Sequence, residues 1–177
     1  MGEQTLHETN NLRAEKDSFF RTDHNSPIPH EERSKFKGLK YFPPSIQYRV
    51  NARLARFDKP DVVMMTTSNG TTRRYLRYGK LEFQLEGGKL KLHCYKAADD
   101  AHDKSLFVPF TDETSGKETY GAGRYLDIEE TGRDDYVLDF NLAYNPYCAY
   151  SENYLCPFPP RENRLPVRIQ AGEKNYK

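Results

Sequence analysis

The sequence predicts a mainly β protein: an antiparallel barrel or sandwich of about nine short strands, with an N-terminal helix and a long proline-rich loop. Three observations lead there. Tyrosine and phenylalanine carry the whole aromatic share of 13%, without any tryptophan, and both favour the half-buried surface of a strand. Between Tyr48 and Cys94 apolar residues recur with period two, as on strands with one buried face. Asn69-Gly70 and Gly87-Gly88 punctuate those runs at hairpin spacing.

Leu6 to Phe20 reads as a helix whose apolar positions, Leu6, Leu12, Phe19 and Phe20, form a thin stripe, as for a helix lying on a larger body. Ser26-Pro27-Ile28-Pro29 ends it. A short helical turn follows over His30 to Phe36, then an extended connector, Tyr41-Phe42-Pro43-Pro44. Residues 1–45 are expected to wrap a β-rich body spanning 46–177, the whole forming one domain.

In that body, Tyr48 to Leu54, Val62 to Thr67, Thr71 to Tyr78, Leu81 to Glu86 and Leu90 to Cys94 read as strands. Ala97 to Lys104 is a polar loop. Leu106 to Phe110 is a strand placed near an edge by Pro109. A glycine-bearing loop, Thr111 to Gly123, leads to strands at Arg124 to Ile128 and Tyr136 to Asn141. Asn145 to Arg164 is irregular and rich in proline, and Pro166 to Ala171 is a last strand.

Composition narrows the function classes. With 27 basic against 26 acidic residues the formal net charge is +1, so no general field attracts nucleic acid or an anionic membrane. No apolar run is long enough to span a bilayer, and Met1 to Arg21 lacks the apolar centre of a signal peptide; a cytoplasmic location is expected. Three cysteines are too few for a disulfide framework, and reduced thiols are the simplest expectation. No metal-ligand spacing is present among His93, Cys94, Cys148 and Cys156, and neither a metal nor another cofactor is expected.

The pattern Phe110-x-Asp112-x-Thr114-Ser-Gly116-x-x-Thr119-Tyr120-Gly121-x-Gly123-Arg124-Tyr125-Leu126 is followed by Leu138-Asp139-Phe140-Asn141 and Ala143-Tyr144-Asn145-Pro146. Cys148-Ala149-Tyr150, Cys156-Pro157, Pro159-Pro160, Asn163 and Ala171-Gly172-Glu173 complete it. Together these residues resemble an uncharacterised bacterial and archaeal family, domain of unknown function sixteen-eighty-four. The resemblance covers most of the chain and implies a site region, but no reaction.

Within that region, the glycine-rich loop before Arg124 can present backbone N–H groups to an anion, and Arg124 can clamp a carboxylate or phosphate. Its alternative is a structural turn in which Arg124 pairs with Asp112, Asp127 or Asp139. Asp139 and Asn141, two apart on a strand, are expected to share a face opposite Leu138 and Phe140. Asp139 can serve as a general base or hold Arg124. Cys148 and Cys156 read as small apolar fillers, although a disulfide between them is sterically possible. Tyr144, Tyr147, Tyr150 and Tyr154 either pack the irregular segment or form an aromatic wall for a flat or sugar-like ligand. Arg73, Arg74 and Arg77 fit a salt-laced surface better than a nucleic-acid platform.

The expected function is therefore a domain that binds a small polar or anionic molecule. Arg124 takes the anion, Tyr120 and Asn141 orient it, Thr119 adds a hydroxyl contact, Asp139 holds Arg124, and Asn145 and Tyr144 stand at the rim. A second expectation is acid–base enzyme chemistry, of hydrolase or isomerase type, with Asp139 as base and Tyr120 as acid. A third is a structural or interaction module without a small-molecule ligand.

Overall fold

The computed structural model describes residues 2–100 and 102–177; Met1 and Ala101, the latter inside the polar loop expected over 97–104, lie outside the described residues. Helix α1 (Gly2–Thr22) precedes six antiparallel strands: β1 (Arg49–Thr66), β2 (Thr72–Leu85), β3 (Gly88–Ala97), β4 (Ser105–Phe110), β5 (Arg124–Glu129) and β6 (Asp135–Asp139). They form one sheet in the order β5-β4-β3-β2-β1-β6. The sheet curls into a nearly closed barrel. The Thr131 N–H reaches the Tyr136 hydroxyl at 3.2 Å beside the β5–β6 turn.

Six strands replace the expected nine for local reasons. The stretches 48–54 and 62–67 are one long strand, β1, whose pairing with β2 shifts register between Arg56 and Asp61. Pro60, without an N–H to donate, falls within that irregularity, where no ladder bond is lost. Likewise β2 runs through Gly79, where its pairing with β3 shifts register. A Cβ at Gly79 would lie 2.6 Å from the Ala55 carbonyl oxygen, so only glycine lets the strands approach there. What reads as two breaks in sequence is two bulges in space. The expected last strand, Pro166 to Ala171, belongs to no ladder.

The curled sheet encloses the main core. Leu54 of β1, Leu81 and Phe83 of β2, Leu92 of β3, Val108 and Phe110 of β4, Leu126 of β5 and Leu138 of β6 meet inside it. Period-two alternation extends to β4, the short strand expected near an edge: Leu106, Val108 and Phe110 point inward while Phe107 faces out. The C-terminal segment adds Leu165, Ile169 and Ala171 to this core.

Helix α1 lies outside the barrel, held by polar ties and one aromatic anchor. Arg13 donates to the carbonyls of Phe42 at 2.9 Å and Asn141 at 3.2 Å. Asp17 accepts the Leu39 N–H at 2.9 Å, just after Gly38 turns the chain with φ 109°. Phe20 enters a second small core with Ile28, Phe36 and Tyr150. These ties account for a helix with so thin an apolar stripe. No described helix is long and apolar enough to cross a membrane.

Candidate functional site

The residues of the glycine-rich motif converge on a buried guanidinium. Arg124 opens β5 with no exposed surface. Its Nη2 donates to Asp112 Oδ2 at 2.8 Å and to the Ile169 carbonyl at 3.0 Å. Its Nη1 donates to the carbonyls of Ala171 and of Glu173, the latter at 3.1 Å. Asp112 is fixed in turn, because its Oδ1 accepts the Thr114 N–H at 2.6 Å and the Thr114 hydroxyl at 2.5 Å. Thr114 meets the buried Thr119 hydroxyl at 2.9 Å. This explains why residues 166–171 form no strand: the carbonyls of Ile169, Ala171 and Glu173 find their donors on one side chain rather than along a ladder. The pairing with Asp112 is one of the three weighed from sequence, and it places Arg124 in the frame rather than at a solvent-facing site.

The other expected site residues lie in separate settings. Asp139 pairs with Arg49 Nε at 3.5 Å, not with Arg124. Its Oδ1 takes the Asn141 N–H at 3.0 Å, which ends β6 and starts a helical turn over Phe140–Leu142. The strand expected to run to Asn141 therefore stops at Asp139. The buried Asn141 amide brackets Ser45, accepting its N–H at 2.9 Å and donating to its carbonyl at 2.8 Å. Asn145, expected at a rim, is buried, with its N–H on Glu173 Oε2 at 2.8 Å and its Nδ2 on the Lys174 carbonyl at 2.9 Å. The Tyr120 hydroxyl lies 3.7 Å from Cys148 Sγ, and burial pushes this phenol up to about 12. No described contact joins Tyr120 to Asp139.

Tyr144 leads to a different place. On the outer face of the sheet, a cavity of about 960 Å³ opens between α1, strands β2, β4 and β5, and residues 146–157. Its floor is a run of rings from β2, β4 and β5, continued by Tyr144 beyond β6. Tyr75 stacks on Phe107 at 5.4 Å, Phe107 meets Tyr125 edge-on at 4.8 Å, and Tyr125 meets Tyr144 edge-on at 5.8 Å. Tyr147 and Tyr154, edge-on at 5.1 Å, supply the opposite wall, and Phe19 closes the side toward α1. Period-two alternation places these rings: inward neighbours fill the barrel, so Phe107 and Tyr125 are left on its outer surface. Three of the four tyrosines singled out as an aromatic wall line this cavity; Tyr150 instead packs against Phe20 at 5.0 Å behind it.

Two cations border the rings. Lys16 Nζ lies 4.9 Å from the centre of the Tyr144 ring and 2.5 Å from Glu173 Oε1. Glu173 is buried and also accepts from the Tyr150 hydroxyl, so one carboxylate ties α1 to the 145–150 segment. Arg73 is exposed, with no ion pair among the described residues. Its neighbours in sequence are engaged: Arg74 with Asp99, Arg77 with Asp61 and Glu162. That is the salt-laced surface read from the charge pattern. The frame and the cavity thus share Glu173. The arginine motif sets the C-terminal segment, and Glu173 at its end positions Lys16 and the tyrosine-bearing loop.

A second hollow, of about 1530 Å³, lies near the tip of the β2–β3 hairpin and the β5–β6 turn. Its walls carry both signs of charge, among them Arg53, Glu82, Lys91 and Asp135, with no convergent polar set. The aromatic cavity has the more selective lining. Neither Asp139 nor Tyr120 lines either one. No group of three His, Cys, Asp or Glu able to hold a metal occurs among the described residues.

Fold and site together define a curled-sheet protein with an aromatic cavity on its outer face, braced by a buried arginine network. A family model described as a protein of unknown function (DUF1684) matches residues 34–174, and the chain belongs to that family. The chain is also similar to an uncharacterized protein of Haloarcula marismortui whose structure was solved by solution NMR. The two are 43% identical, with 97% of this chain and 95% of that one covered and a TM-score of 0.74. No curated protein matches.

Proposed function

We propose that the protein binds a small ligand bearing a flat ring and an anionic group, held in the aromatic cavity. The observation that carries this reading is the continuous ring surface of Tyr75, Phe107, Tyr125 and Tyr144, faced by Tyr147 and Tyr154 and bordered by Arg73, which has no ion pair among the described residues. Rings pack flat ligands by edge-on and offset contacts, and the cavity volume falls within the range of small-molecule sites. In this reading Arg73 holds the anionic group, Lys16 adds positive potential while staying on Glu173, and Tyr144 is the contact retained from the sequence. Arg124, Thr119, Asn141, Asn145 and Asp139 position the surrounding segments. The acid–base alternative draws no comparable support, since Tyr120 and Asp139 have no contact in common.

The experiment is a thermal-shift and calorimetric screen of aromatic carboxylates, with aliphatic carboxylates and neutral aromatics as controls. Aromatic acids are expected to stabilise the protein. Arg73→Gln is expected to weaken them about tenfold or more, the loss of one charged hydrogen bond. Equal binding of aliphatic acids, or indifference to Arg73→Gln and Tyr154→Ala, would defeat the proposal.

A further inference from the structure

Cys148 and Cys156 occupy the two ends of the segment that forms one wall of the cavity. Each end is anchored independently. On one side, Tyr147 and Tyr150 pack on Phe20 of α1 at 6.2 Å and 5.0 Å. On the other, the Cys156 carbonyl accepts the Ser68 N–H at 3.2 Å, and the Phe158 N–H donates to Thr66 at 2.8 Å, docking the chain on the end of β1. Tyr125 also donates its hydroxyl to the Pro157 carbonyl. These anchors seat Cys156 against Cys148.

The contact is direct. The Cys148 N–H donates to Cys156 Sγ at 3.3 Å, so the sulfur of one cysteine sits against the backbone of the other. Arg73 contributes positive potential at that sulfur. A donor held on the sulfur favours its thiolate, and the Cys156 thiol is accordingly drawn below its ordinary value, chiefly by its hydrogen bonding with Cys148. Cys148 moves the opposite way for the same reason, as the member of the pair that keeps its proton. Cys156 lines the cavity and is 8% exposed. Cys94 offers a contrast within the same chain: it is wholly enclosed in the barrel core, where burial pushes its thiol up to about 12.

We propose that Cys156 and Cys148 form a peroxide-reactive dithiol, in which Cys156 is the attacking residue and Cys148 the resolving one. The Cys156 thiolate attacks one oxygen of a hydroperoxide, the O–O bond breaks, and hydroxide (or alkoxide) leaves, taking up a proton as water or alcohol. Cys156 is then a sulfenic acid. The Cys148 sulfur attacks the Cys156 sulfur, the S–O bond breaks, and the leaving hydroxide takes the Cys148 thiol proton as a second water. Two thiols are oxidised by two electrons, the peroxide is reduced by two, and a disulfide closes the 148–156 loop. An external dithiol restores both thiols by exchange. Nothing in this chemistry depends on the ligand proposed for the cavity.

The test is made on the reduced protein, treated with stoichiometric hydrogen peroxide, alkylated and mapped by peptide mass. The wild type is expected to lose two of its three thiols together, to yield a Cys148–Cys156 linked peptide reversed by dithiothreitol, and to leave Cys94 free. Cys148→Ser is expected to stop at a dimedone-trappable sulfenic acid on Cys156. Iodoacetamide at neutral pH is expected to label Cys156 at least about tenfold faster than Cys94. Oxidation of Cys156 no faster than that of Cys94, or a wild-type sulfenic acid that persists without a linked peptide, overturns the proposal. Should Cys148→Ser fail to fold, the wild-type linkage map decides alone.

Discussion

Replacing Arg124 with methionine removes the guanidinium while keeping much of the side chain's bulk. The Asp112 carboxylate then keeps its Thr114 donors but loses its Arg124 cation, and the carbonyls of Ile169, Ala171 and Glu173 lose the donor they share. Breaking a buried ion pair from one side costs about 3–5 kcal/mol, and a buried carbonyl left without a donor adds about 1 kcal/mol or more. Shifts of the C-terminal segment recover part of this, so a loss of about 4 kcal/mol is expected. For a chain of this size that corresponds to a melting temperature about 8–16 °C lower. Urea unfolding followed by tyrosine fluorescence measures it, with an unchanged denaturant slope showing that the folded and unfolded states keep their extent. Asp112→Asn, which keeps the shape but not the charge, is expected to cost less. A loss under about 1 kcal/mol for Arg124→Met would refute the bracing role and return Arg124 to the list of ligand-facing residues.

Two further predictions concern backbone and protonation. Gly123 has φ 95°, and a Cβ there would lie 2.6 Å from the Phe110 carbonyl oxygen and 2.7 Å from Pro159 Cγ; Gly123→Ala is expected to cost about 2–4 kcal/mol by the same urea assay. Gly132, with φ 74° but open space around it, provides the comparison: Gly132→Ala is expected to cost about 1 kcal/mol, the backbone strain alone. His93, stacked on Phe57 at 5.9 Å, has its ordinary value of 6.5 lowered by burial. The unfolded chain therefore binds its proton more readily than the folded one. The stability His93 contributes is present above pH 6.5 and is lost as pH falls through the depressed folded value. Stability is expected to fall between pH 7.5 and 5.5, with a shallower slope in His93→Asn; equal slopes would show that His93 is not responsible.

Much of the fold was legible because binary patterning is local. The Leu81–Cys94 hairpin and the helix before residue 22 both follow from periodicity and turn residues. What local reading missed was continuity through irregularity. Pro60 and Gly79 look like strand breaks, yet pairing resumes beyond each because the partner strand shifts register by a bulge. The site was legible in composition but not in arrangement. Crowded glycines, an arginine and amides describe a buried network as well as a binding loop, and only burial separates the two. Tyr144, Tyr147 and Tyr154 were visible as a wall. Lys16 and Phe19 were not, because nothing in a polar helix announces which strand it will cross. Arg73 was seen as one of a charged set, and only the ion pairs of Arg74 and Arg77 leave it distinct.

The central claim is that the arginine motif is frame and the aromatic cavity is the place where a ligand meets the protein. Amide chemical-shift mapping during titration with an aromatic carboxylate addresses it most directly. The account predicts saturable shifts at Lys16, Phe19, Arg73, Tyr144, Tyr147 and Tyr154, while Asp112, Thr114, Thr119 and Arg124 move little. Shifts centred on Thr114 to Arg124, with the cavity residues still, would contradict it.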